Sequence, residues 1–176
     1  MAKTKPDWHG DARPFLARAD DIKDTILVPP NRLQSGNITS KVAYGLESSM
    51  IVATRFPGYH SIPHVHDAEQ LNWILEGEIY LFIEDDGFLA RKGDFCRVPR
   101  NAVHWSWVQG TGPCTVVEVH TPPLIGDPGV IETAAAMTAP DENLGSLVRV
   151  PTLWPDFPRV AETERRVCGR DRVAAE

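Results

Sequence analysis

Short apolar runs closed by turn-forming residues fill the middle of this chain. The runs SSMIVATRF, QLNWILEGEIYLFIE, FCRVP, VHWSWV and CTVVEVH are punctuated by Pro57-Gly58, Glu76-Gly77, Asp85-Asp86-Gly87, Lys92-Gly93, Pro99 and the GTGP stretch at 110–113. β-Branched and aromatic enrichment at such short spacing predicts an all-β sandwich or barrel and argues against alternating strand–helix units. Asp86-Gly87 is read as a hairpin turn. The barrel is expected over residues 38–125. Before it, residues 1–37 are polar and carry Pro6, Pro14 and a Pro29-Pro30 pair, which predicts an irregular arm with one helical turn near residues 15–19. After it, residues 126–176 form a C-terminal extension with short helices expected. Residues 130–137 are rich in helix formers, three prolines surround Leu153-Trp154 and Phe157, and the charged end is helical at its start.

At 176 residues the chain is expected to be one domain with one core. A net charge of -6 argues against a nucleic-acid partner, and no basic block offsets it. The first residues lack the apolar run of a signal peptide, and no segment reaches membrane-span length, so a cytoplasmic protein without a membrane partner is expected. Cys96, Cys114 and Cys168 are too widely spaced for a CxxC pair and odd in number, which points away from a disulfide framework.

Five of the six histidines lie between residues 60 and 120. On an extended backbone His64 and His66 point the same way. Gln70 and the distant His104 could complete a metal site with them. His60 would also point inward along an unbroken strand, as a substrate-facing group, unless Ile62-Pro63 bends the register and leaves it in a loop. Glu118 and His120 share one face of VVEVH, either as a polar outer face or as an acid or base beside the metal. If His104 faces the metal, Ser106 does too, while Trp105 and Trp107 face away. Counting likewise from Gln70 puts Asn72 and Ile74 in the pocket, with Leu71 and Trp73 outside. Three outward tryptophans need a cover, either the terminal arms or a second subunit, and a homodimer is expected. Cys96 could reach the cavity, where a buried inert thiol is the ordinary case.

The spacing Gly58, His64, His66, Gln70, Gly77 resembles the first motif of the cupin superfamily, G-x5-H-x-H-x3-E-x6-G, with Gln in place of Glu. Gly93, Pro99, Asn101 and His104 resemble its second motif, with Asn101 for Gly and Val108 for Asn. The resemblance implies a jelly-roll barrel (double-stranded β-helix) holding one divalent ion, with His64, His66, Gln70 and His104 as ligands. Fe(II) is favoured, and Zn, Mn or Ni is possible. Glu69 competes with Gln70, and strand parity favours Gln70. A neutral amide in place of a carboxylate would leave the ion's full charge, favouring anionic chelating substrates. Similarity to cupins that use a histidine triad implies a non-haem iron dioxygenase cleaving a C–C bond of a small enolisable or hydroxy-aromatic substrate. A redox-neutral isomerase, lyase or polyketide-type cyclase is the alternative, with His60, Glu118 or His120 as proton carrier. A non-catalytic ligand- or metal-sensing cupin is the third reading. Fold alone does not choose among these.

Overall fold

In the computed structural model, the described residues are 16–24, 28, 30–124, 135–137 and 150–174. They form a mostly antiparallel jelly-roll of two facing sheets. The strands are β1 (Leu33–Ser35), β2 (Ile38–Tyr44), β3 (Ser49–Arg55), β4 (His60–Ser61), β5 (Glu69–Glu76), β6 (Glu78–Ile83), β7 (Asp86–Arg91), β8 (Phe95–Val98), β9 (His104–Trp107), β10 (Cys114–Thr121) and β11 (Ala135–Ala136). One sheet runs β1-β4-β9-β6-β7 and the other β11-β2-β3-β10-β5-β8. Among the described strands the short β11 pairs in parallel, beside Ala43 and Tyr44 of β2, and Leu124 bridges Val150 in the same sense.

Alternation along the strands sorts side chains into core and surface. In β10 the buried positions are Cys114, Val116, Glu118 and His120. In β5 they are Gln70, Asn72 and Ile74, with Leu71 and Trp73 turned out. Tyr59, Ile74, Leu81, Val98 and Val116 belong to the largest apolar cluster between the sheets. Two residues with positive φ make the motif turns possible. Gly77 has φ 76°, and a Cβ there would stand 2.2 Å from the Pro113 carbonyl oxygen. Asn101 has φ 62°, so Asn fills the left-handed position that the motif gives to Gly.

Several local expectations are corrected. The β6–β7 turn is Glu84-Asp85, with Glu84 at φ 53°. Asp86 and Gly87 already belong to β7, where Gly87 opposes Phe82. Ala135 and Ala136 are strand, since open backbone at the β2 edge takes them despite their helix propensity, and residues 130–134 of that stretch lie outside the described residues. The early helical turn is a 3-10 turn at Ala19–Asp21, with Phe15 outside the described residues. The stretch read as an N-terminal arm also contributes β1 to a sheet.

The charged C-terminus is one helix, α1 (Val160–Ala174). Val167 and Cys168 are buried on Tyr80, Phe82 and Trp105 of the β6–β9 surface, joined by Phe157 and Val160. Arg159 and Arg170 tie this region to Asp85 and Asp86 of the β6–β7 hairpin, both at 2.6 Å. These pairs are exposed and contribute little each. The cover over Trp105 and Trp107 is therefore the chain's own helix. Among the described residues, no helix is long and apolar enough to cross a membrane.

Candidate metal centre

β4, β5, β9, β10 and the His64–His66 segment converge on one cavity of about 60 Å³. His64, His66, Gln70 and His104 line it, as do Asn72, Ile74, Ser106, Glu118 and His120. His64 and His104 exchange two backbone hydrogen bonds of 2.9 Å, which sets their rings 4.2 Å apart, centroid to centroid. The His66 ring lies 4.8 Å from that of His104 and 5.2 Å from that of His120. Residues distant in sequence thus share one pocket wall.

The tautomers follow from the backbone. Nδ1 of His64, His66 and His104 donates to the carbonyls of Ile62, Ala68 and Ala102 at 3.1, 2.9 and 2.9 Å. Each neutral ring then carries its lone pair on Nε2. Burial is the first cause that keeps them neutral. It lowers His64 to about 4 and His120 to about 3, pushes His104 well below its ordinary value and lowers His66.

Two observations test whether these residues fit an ion. His104 Nε2 is buried and has no hydrogen-bond partner. His66 Nε2 faces Gln70 Oε1 at 3.2 Å, although each presents a lone pair. Gln70 Nε2 donates to Asn72 Oδ1 at 2.8 Å, which holds the amide in that sense. Two acceptors facing each other repel, and two ligands of one ion bound at about 2.1 Å stand about 3.0–3.4 Å apart. A shared cation or reversal of both amides relieves the contact. The donor set therefore fits a divalent ion. The sphere is not finished, however: among the described residues no three His, Cys, Asp or Glu side chains are set to hold an ion by themselves.

Other candidates fall on both sides of the wall. Glu69 points out and pairs with Arg97 at 2.6 Å, as parity requires. His60 is a correction: β4 alternation puts Ser61 in the cavity wall and His60 beneath α1. There His60 stacks on Trp107 at 4.6 Å, and its Nε2 meets Glu164 Oε1 at 2.8 Å. The Ile62-Pro63 step breaks the alternation, so His64 faces in although His60 does not. Glu118 and His120 line the cavity, which overturns the reading of a polar outer face. Cys96 also lines it, with its thiol pKa raised by burial, an inert form.

Arg55 escaped the sequence reading. It sits at the end of β3, buried, with its guanidinium on Glu118 and over the Tyr59 ring. Burial opposes the charge of Glu118, but Arg55 and His120 outweigh it and hold the carboxyl below its usual range. Ile51 and Ala53 are buried on the same parity, and that alternation was the available signal. The cavity is also lined by Thr152 and Trp154, beside Leu153, whose backbone bridges Val65 between the two motif histidines.

A cupin-domain family profile matches residues 53–120. Among solved structures, the chain is similar to a cupin-like protein from Thermotoga maritima, at 14% identity and a TM-score of 0.55, over 84% of this chain and 96% of that one. It is also similar to the polyketide cyclase RemF from Streptomyces resistomycificus, at 19% identity and a TM-score of 0.53, over 60% and 78%. A third is a sugar phosphate isomerase of the cupin superfamily from Silicibacter pomeroyi, at 19% and 0.50, over 60% and 74%. Likeness at these identities establishes the fold alone. Among curated proteins, none matches the sequence.

Proposed function

We propose that this chain of cupin fold, whose residues 53–120 match a cupin-domain profile, is a metal-dependent enzyme that removes a proton from a small enolisable or hydroxy-aromatic substrate. His64, His66 and His104 would hold the ion through Nε2, with Gln70 Oε1 as the fourth donor. When bound, a divalent ion there supplies Lewis acidity without a neutralising carboxylate ligand, so it stabilises an anionic oxygen. The observation that carries the reading is His120. Its ring is buried and neutral, its Nδ1 has no partner, and it lies against His66. A neutral imidazole beside the ligand rings is placed to take up a substrate proton and return it. Glu118 is held as a carboxylate by Arg55 and supports the imidazolium that forms. Asn72 and Ser106 offer polar groups to orient the substrate, and Ile74 gives the apolar wall.

Two fates of the deprotonated substrate are compatible with these residues. The first is C–C cleavage with dioxygen, the chemistry of a non-haem iron dioxygenase. The second is redox-neutral isomerisation, elimination or cyclisation, which His120 favours because it can return the proton to another atom. A polyketide cyclase and a sugar phosphate isomerase among the similar folds are examples of that class. The metal retained by protein made without added metal, and turnover of 1,3-diketones and catechols with and without oxygen, decide between them. Oxygen uptake matched to substrate loss selects the dioxygenase; unchanged anaerobic turnover selects the redox-neutral enzyme. A protein that retains no metal would favour a sensing role.

A homodimer belongs to the same proposal. The outer face of the six-stranded sheet carries Met50, Val52, Leu71, Trp73 and Phe95, all exposed. Val117 and Val119 of β10 join them into continuous rows by register. The Arg97–Glu69 pair at the rim offers both charges, which a twofold copy can match.

A further inference from the structure

We propose that Arg55 makes the cavity a carboxylate receptor, so that the substrate is a small carboxylic acid anion. The proposal rests on reading this cavity as the substrate site, and it adds the group that Arg55 recognises. Arg55 is 7% exposed and lines the cavity, yet its Nε and Nη1 have no hydrogen-bond partner. Nη2 is engaged on Glu118, and Tyr59 also interacts with the guanidinium. A guanidinium offers two-point forks along its edges, and each free nitrogen shares an edge with Nη2. Glu118 takes one Nη2 hydrogen, while Nε and Nη1 keep hydrogens for a second acceptor, which must displace the packing around these two buried atoms. Buried N–H groups left without an acceptor are costly, so two on one residue call for a partner.

Charge points the same way. Glu118 is the one acidic side chain among the described residues that line the cavity, and Arg55 offsets it. An entering carboxylate meets no uncompensated negative charge. The position is also suitable. Arg55 is the register partner of Cys114 in β10, and its side chain runs along the barrel to Glu118, which is two residues from His120. A ligand with its carboxylate on the guanidinium would extend towards the imidazoles. In a cavity of about 60 Å³ it must be short.

The test measures acetate and its neutral isostere acetamide by ligand-observed NMR on chelator-stripped protein at pH 7. Working without metal separates this outcome from the metal assignment, which elemental analysis of untreated protein reports on its own. Acetate is expected to bind saturably and acetamide at least tenfold more weakly. The double variant R55M/E118Q removes both charges together and is expected to lose acetate binding while keeping the wild-type near-ultraviolet circular dichroism. R55K keeps the charge without the fork and is expected to bind acetate at least tenfold more weakly; it carries the test if the double variant does not fold. No saturable acetate binding, equal binding of acetamide, or unchanged affinity in R55K would overturn the proposal.

Discussion

At the level of single residues, the histidines carry two separable consequences. His104 Nε2 is buried without a partner and faces the ring cluster, so His104→Ala should cost the protein most of its bound metal by elemental analysis. Wild-type metal content in that variant would remove His104 from the ligand set. Gln70→Glu restores the motif carboxylate and should hold a divalent ion more tightly against a competing chelator, because one negative charge is added at the centre. A second consequence is acid sensitivity. Burial lowers His64 from 6.5 to about 4 and His120 from 6.5 to about 3. Between those values the unfolded chain binds protons that the folded chain refuses, so stability is full above about 6.5 and falls as pH falls. Glu118, whose pKa is also lowered, adds loss in the same direction at lower pH. Metal-free protein should melt progressively lower from pH 7 towards pH 4.5. A flat melting temperature would contradict the burial of these rings.

Among the elements, the turns and edges were the least legible. Parity along β5 was readable because one face is buried and the other exposed, and along β9 it held by strict alternation although both faces are covered. It placed Gln70, Asn72, Ile74, His104 and Ser106 in the wall and Glu69 outside. The same reasoning misplaced His60, because Pro63 interrupts the strand and a break resets parity without marking the alternation itself. The hairpin shifted to Glu84-Asp85 because cross-strand pairing of Phe82 with Gly87 outweighed the local preference of Asp-Gly for a turn. Gly77 is the opposite case, since local geometry dictates the residue. Gly77→Ala combines strain at positive φ with a clash against the Pro113 carbonyl, and chemical denaturation should show a loss of about 2 kcal/mol or more. Wild-type stability would mean that the β5–β6 turn reorganises at no cost.

For the whole molecule, the outward tryptophans divide into two groups. Trp105 is fully buried beneath α1 and donates to Glu164 at 2.9 Å. Trp73 stays 43% exposed and stacks on Phe95 at 5.8 Å. The first group needs no partner subunit; the second is where a second copy would sit. Wild-type protein is expected to sediment as a dimer and Trp73→Glu as a monomer, because a charge in the centre of the sheet face must be desolvated twice in a twofold interface. A wild-type monomer would sink the dimer, and a dimeric Trp73→Glu would move its interface off this face.

The amino-acid order by itself determined the barrel class, the inward set on β5 and β9, and the two histidine-bearing motifs. These are matters of periodicity and spacing, which the alternation of an extended chain enforces locally. Only the tertiary structure decided that Arg55 meets Glu118 inside, that His60 lies beneath α1, and that the C-terminal segment lines the cavity. Those pairings join residues from different strands or from opposite ends of the chain, and they depend on how the sheets and the terminal helix pack, which no local pattern records.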